Sequence, residues 1–267
     1  MKTIVKEIIT SILATLLFAV VLCGLYPLIV WGASQLMFPH QANGSLIEGS
    51  DRKIVGSEWL GQNFTSAKYL QPRPSAAGSG YDAANSGGSN LGPTSKKLIN
   101  GTTKSIALPG KEVGTFTPST EVVDFDGIKL RVLNYCESNG IACELIQDGK
   151  PADPKMFKTD KGEYDQVKLI TAFNNDAMPL TIKAGSPIPG DAVTTSGSGL
   201  DPHISPRNAL LQAARVAKER NLSVDVVKAE IAKATAGPSL GILGEAGVNV
   251  LLLNLALDKI APQTASR

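Results

Sequence analysis

Ser198, Asp201 and His203 stand within six positions of one another. They are the residue types of a hydrolytic triad: a hydroxyl that attacks, an imidazole that takes its proton, and a carboxylate that orients the imidazole. Triad members must converge in one hydrogen-bonded chain, usually from separate elements, and here they share a single loop. The Gly-x-Ser-x-Gly elbow is not met either, because Ser196 holds its first position. Asp191, Asp201 and His203 are also metal-ligand types. With two His in the chain and no His/Cys pair at zinc spacing, no metal site is expected. No Gly-x-x-x-x-Gly-Lys-Ser/Thr phosphate loop occurs, and Gly92-Pro93-Thr94-Ser95-Lys96 lacks its order and spacing. Cys136 and Cys143 would be free to pair in an oxidising compartment; free thiols are the equal alternative. No catalytic residue and no cofactor bound by this chain is expected.

The elements that must position these groups can be read around them. Thr194–Pro206 mixes glycines with Pro202 and Pro206, so the loop is costly to order and needs something to fix it. Ser205 is an N-cap and Pro206 a first helical residue. Leu210, Ala213, Ala214, Val216 and Ala217 then give one buried stripe on a helix through Arg220. Bonds from Asp201 and His203 to backbone would lock this loop onto the Ser89–Thr94 run. The competing reading joins the loop to Arg73–Ser75 as a docking surface. The Pro/Gly/Ser/Asn-rich residues 71–95 are a flexible linker or an ordered loop; Tyr81, Asn85, Asn90 and Leu91 suit the latter.

Elsewhere, Ser45–Ile47 and Lys53–Val55 read as strands joined by a turn over Glu48–Arg52. A helix is expected over Asp126–Asn139 with Gly140 as its C-terminal cap. Strands are expected over Ala142–Ile146 and Gln166–Thr171, with turns at 147–150 and 174–176. Ser223 caps a helix through Ala234, and Asn249 caps a buried helix within Val248–Ile260.

From Ile8 to Ile47 there is no Asp, Glu, Lys or Arg, and Ile8–Val30 is almost wholly apolar. As a helix it spans roughly 34 Å, enough for a bilayer core of ~30 Å. Tyr26, Trp31 and Phe38 lie toward the far end, and Lys2 and Lys6 flank the near end. The positive-inside rule then keeps the N-terminus in the cytoplasm and exports the chain beyond residue 38. A cleaved signal peptide is the alternative, but its apolar core runs only ~7–15 residues. A lipoprotein anchor at Cys23 would need a small residue before it, where Leu22 stands. A net charge of +2 over 267 residues gives no case for nucleic-acid binding. One span cannot form a transport pathway alone.

A series of short blocks occurs in order along the chain: the apolar span, Val55-Gly56-Ser57 through Leu60-Gly61-Gln62, Arg73-Pro74-Ser75, Tyr81, and Ser89-Asn90-Leu91-Gly92-Pro93-Thr94. Ser196–Pro206 comes next, then Gln212 with Arg215-Val216-Ala217 and Arg220, then Leu240-Gly241 with Leu243-Gly244-Glu245. Val248-Asn249-Val250-Leu251 with Leu253-Asn254 closes the series. On these residues the chain resembles the C subunit of the Kdp potassium-transporting ATPase. It departs from that pattern in the middle, where about 101–189 carries a family-atypical insertion, and at Ala246-Gly247, where a Pro-Arg pair is expected.

The resemblance implies an α/β (α+β) architecture: residues 1–38 as cytoplasmic tip and single transmembrane helix, then 39–267 as a mixed α/β periplasmic domain with an enlarged middle section. The family's connecting helix falls best on Asp126–Asn139. It implies a non-catalytic accessory subunit of an ATP-driven potassium importer of the inner membrane. Its partners would be a channel-like potassium-binding subunit, a P-type ATPase subunit and a small single-span subunit; ATP, Mg and potassium are used by the complex. The family is also described as a catalytic chaperone that raises the ATP affinity of the ATPase subunit. The topology sets the exported domain across the membrane from ATP, which argues against nucleotide contact at Gln62. Arg73, Ser75, Asn90, Ser198, Asp201 and His203 are the candidates for partner contact or loop locking. A membrane-tethered periplasmic binding module unrelated to potassium is the alternative.

Overall fold

The N-terminal segment stands as an exposed helix, with none of its most apolar window buried. The structure, a computed structural model, describes residues 2–49, 52–107 and 119–260. Helix α1 (Lys2–Phe18) runs into a widened π turn over Ala19–Leu25 and then into α2 (Tyr26–Met37). The whole run Thr3–Met37 is long and apolar enough to cross a membrane. Pro27 lacks an N–H, and its ring crowds the carbonyl four residues back; the widened turn accommodates it, with Tyr26 N–H reaching Val21 O. Thr10, Ser11, Thr15 and Ser34 donate their hydroxyls to carbonyls four residues earlier, so these four hydroxyls are satisfied within the span.

The chain divides into two units, Met1–Trp59 and Leu60–Arg267. In the first, a short helix α3 (Pro39–Ala42) leads to the antiparallel pair β1 (Leu46–Glu48) and β2 (Ile54–Ser57). Ser50 and Asp51, the middle of the turn expected there, lie outside the described residues.

The second unit carries two main apolar cores and a smaller cluster. One is gathered by α7 (Pro206–Arg220), α8 (Val224–Ala234) and α9 (Val250–Asp258) over the small antiparallel sheet β8 (His203–Ile204), β10 (Gly247–Asn249) and β9 (Thr235–Ala236), in the order β8-β10-β9. Leu70, Ile204, Val216, Val227, Ile231, Val248, Leu253 and Leu257 fill it. The expected caps form: Ser205, Ser223 and Asn249 accept from the third N–H of their helices. Each such cap contributes about 1 kcal/mol. The buried stripe of α7 differs from the expected one. Leu210 and Ala214 are exposed, and Asn208 and Gln212 are buried beside Ala209, Ala213, Val216 and Ala217.

The other core lies between α4 (Lys96–Asn100) and residue 184. The hairpin β3 (Thr102–Ala107) and β4 (Ser119–Phe125) leads to α5 (Gly127–Asn139), where Gly140 takes the left-handed conformation expected of it. Next come β5 (Cys143–Gln147), β6 (Lys150–Pro151), α6 (Gln166–Phe173) and β7 (Leu180–Ala184), with sheet order β6-β5-β7. Residues 166–171 are helix, not the expected strand. Asp165 caps that helix by accepting from Lys168 N at 3.0 Å. Leu169, Ile170 and Phe173 are all buried, a spacing that only a helix puts on one face. Helix α5 contributes to the middle core and to the smaller cluster against α7. Leu130 and Leu133 enter the middle one, while Tyr135, with Ile128 and Val132 beside it, packs with Ala192, Val193 and Leu211 toward α7.

Candidate functional site

The loop of residues 194–202 is held by the run 73–88, more than a hundred residues earlier in the chain. Arg73 is the hub. Its Nη1 meets Asp201 Oδ2 at 3.1 Å and its Nη2 donates to Thr195 O at 3.2 Å. Ser75 Oγ donates to Gly199 O at 2.6 Å and accepts from Tyr81 N at 2.8 Å. Tyr81 returns its hydroxyl to Arg73 O at 2.5 Å. Gly87 N and Ser86 Oγ both donate to Ser198 O. On the other flank, Gly61 N donates to Leu200 O at 2.7 Å.

Two glycines permit this closeness. Gly199 has φ +68°, and a Cβ there would fall 2.5 Å from Gly87 O. A Cβ on Gly61 would fall 2.7 Å from Asp201 O. Both contacts are with backbone, which cannot swing aside.

Asp201 also accepts from His203 N at 2.9 Å and lies 3.4 Å from His203 Nδ1. Burial pulls its carboxyl upward, but the His203 side-chain and backbone bonds and the Arg73 charge outweigh this and hold it below the usual carboxylate range. Burial, then the Asp201 charge, push the Tyr81 phenol far above its ordinary value, so it acts as a fixed donor. His203 sits on β8, whose pairing with β10 turns Ile204 into the core and leaves His203 half-exposed beside Gly247.

The residue types of a triad are thus present but differently employed. Asp201 and His203 meet, whereas Ser198 Oγ accepts from Leu200 N. Asp191, a metal-ligand type, accepts from Ser205 N, Ser205 Oγ and Asn208 Nδ2, and so braces the start of α7. Among the described residues no three His, Cys, Asp or Glu side chains converge as ligands.

Of the residues singled out from sequence, Arg73, Ser75, Ser198, Asp201 and His203 come together. The run they bind is 73–88 rather than the expected Ser89–Thr94. Asn90 is exposed at φ 52°, and no bond joins it to this network among the described residues. Gln62 is half-buried just beyond Gly61.

Sequence reasoning missed a second polar seam, which joins α5, α7 and residues 67–71. Tyr135 donates its hydroxyl to Asn208 Oδ1 at 2.8 Å, and Gln212 Nε2 bonds both Asn208 Oδ1 and Gln71 O. Arg215 donates to Asn139 Oδ1, Gln212 Oε1 and the carbonyls of Ala67 and Tyr69. Asn254 clasps Leu70 through both its backbone groups, at 2.9 and 3.0 Å. The signal was an amide repeating on the apolar face of α7, which reads from sequence as a surface residue.

A cleft of about 570 Å³ opens between the two seams, lined by Asn63, Gln71, Arg73, Tyr81, Arg131 and Tyr135 among others. Its two guanidiniums are both committed. Arg131 forks onto Asp126 at 2.8 and 2.6 Å, and Arg73 pairs with Asp201. Among the described residues no other Arg or Lys lines it.

The chain thus has a helix long and apolar enough to cross a membrane and a unit whose loops are held by its own polar side chains. The family model described as "KdpC: K+-transporting ATPase, c chain" matches residues 8–121 and 152–259. The chain therefore belongs to the KdpC family. Residues 122–151, which include α5 and β5, fall outside the match. Three proteins named "Potassium-transporting ATPase KdpC subunit" are similar along nearly the whole chain. That of Mycobacterium tuberculosis is 38% identical over 255 residues, covering 96% of this chain and 99% of its own length. That of Koribacter versatilis is 36% identical over 263 residues, covering 98% and 99%. That of Myxococcus xanthus is 38% identical over 248 residues, covering 92% and 85%.

Proposed function

We propose that this chain is the non-catalytic accessory subunit of a Kdp-type potassium-transporting P-type ATPase in the bacterial inner membrane. Thr3–Met37 anchors it once, with the N-terminus in the cytoplasm and residues 39–267 outside. There it assists the channel-like potassium-binding subunit, and through that the P-type ATPase subunit and the small single-span subunit. The observation that carries this reading is the family match, which takes in the apolar span and both flanks of the 73–88 and 194–202 network. The pairing of Arg73 with Asp201 and of Arg131 with Asp126 supports a structural role over a nucleotide site, and on the topology proposed here the second unit lies across the membrane from ATP. Assistance then acts by contact at the outer face, not by handling nucleotide.

The test is purification of the tagged chain from native membranes, together with growth of a deletion strain on limiting potassium. The expected result is co-purification of a P-type ATPase subunit and loss of growth that the intact gene restores. A chain that purifies without such a subunit, in a strain whose growth at low potassium is normal, would leave a tethered binding module instead. A reporter active only outside the cytoplasm, fused after Arg267, is expected to be active.

A further inference from the structure

Helix α5 ends where the chain reverses on Gly140, φ +65°, and Ile141 N returns a bond to Cys136 O at 2.9 Å. That reversal brings the first residue of β5 back beside the last turn of the helix. The residue is Cys143; both thiols are free in the structure, and each lies close enough to perturb the titration of the other. A helix end and the strand that follows a tight reversal are elements a disulfide bridges where their Cα atoms lie within about 7 Å. The third cysteine, Cys23, lies in the apolar span and cannot compete.

We propose that Cys136 and Cys143 are an intramolecular disulfide site that staples α5 to β5. The proposal rests on the reading that the second unit lies outside the cytoplasm, where disulfides persist. The oxidant is a protein disulfide of the thiol–disulfide exchange class. Cys136 is wholly buried and Cys143 only partly so, which orders the steps. The Cys143 thiolate, having lost its proton, attacks one sulfur of the donor disulfide and expels the other as a thiolate. The Cys136 thiolate then attacks Cys143 Sγ and releases the second donor sulfur. The chain loses two protons and two electrons, and the donor leaves as a dithiol.

Burial raises both thiols, Cys143 to about 12, so little thiolate exists once the fold has closed. Exchange is therefore fast while the middle core is still open and slow afterwards, and the finished bond is sheltered from reductants. The bridge would clamp the helix that carries Leu130 and Leu133 into the middle core and Tyr135 toward α7. It would lie in residues 122–151, the part outside the family match.

The test counts free thiols on the full-length chain. Cells are lysed in an alkylating reagent under denaturing conditions, and the purified chain is weighed before and after reduction. In parallel, chain unfolded and refolded in a glutathione redox buffer is treated the same way. The expected result is one label per chain before reduction, on Cys23, and labels on all three cysteines after it. Cleavage at Glu137, between the two cysteines, should leave the fragments joined until reductant is added. A Cys143→Ser chain should take label on Cys136 without reduction. Three labels before reduction in both preparations overturn the bridge, as do free thiols from cells in which the Arg267 reporter shows export. A bridge that forms in the redox buffer, but is absent from cells whose reporter shows no export, supports the site and overturns the location.

Discussion

The two main cores of the second unit are closed in opposite ways. The middle core draws its buried side chains, Leu130 to Leu180, from one continuous stretch and seals them with hairpins and short helices. The C-terminal core needs Leu70 to meet Leu253 and Leu257, and it holds that distant strap with side-chain amides and guanidiniums, Asn254, Gln212 and Arg215. Apolar contact suffices where neighbours in sequence are neighbours in space. Where a loop must be fixed at long range, its backbone groups lose water and must find partners, so the fold spends polar side chains on them. The family blocks read from sequence fall mostly on that second kind of residue.

The sharpest way to break this contrast is to empty the middle core. Phe173→Ala removes a ring that is 1% exposed and should cost about 3–5 kcal/mol. Amide exchange should then quicken across β4 to β7 while α7, α8 and α9 keep their protection. Equal loss in both regions would show one cooperative body joined through α5.

The seam between the cores comes next. Asn208→Ala leaves the Tyr135 hydroxyl, the Asp191 carboxylate and the Gln212 amide each short of a partner, at a position 0% exposed. It should cost about 2–3 kcal/mol in urea denaturation, because three hydrogen bonds among buried groups are lost together and the space of the amide is left empty. A cost no larger than that of a surface substitution would show that the polar seam does not hold the cores together.

A smaller effect, with a pH signature, is expected at the 194–202 loop. Asp201→Asn keeps the side-chain shape but loses the charge that pairs with Arg73, and should cost about 1–2 kcal/mol near neutral pH. The folded carboxyl titrates below its ordinary value of 3.8. Its contribution is therefore fully present above the unfolded value and is lost as pH falls through the folded one. Urea midpoints of wild type and variant should differ at pH 7 and converge on acidification below about pH 4. A gap that stays constant with pH would mean the charge does not stabilise the loop.

The smallest change tests α6. Asp165→Ala removes its N-cap and should cost about 1 kcal/mol, with the loss of amide protection confined to residues 166–173. Unchanged stability would sink the capping assignment.

How far these regions could be read in advance depends on the range of the forces. Asn249, Ser205, Ser223 and Gly140 act on residues three or four away, and the sequence alone determined those helix ends and the apolar run long enough to span a bilayer. Even locally, the alternation Val167-Lys168-Leu169 imitated a strand, and only Phe173 with the Asp165 cap decides for helix. The tertiary structure alone decided what the loop residues hold. Arg73 and Asp201 are 128 positions apart, and nothing in either neighbourhood names the other. It likewise decided that Leu210 faces outward and Gln212 inward on α7. A helix face is chosen by what packs on it, and the strap at residues 67–71 offered carbonyls that an amide satisfies and a leucine does not.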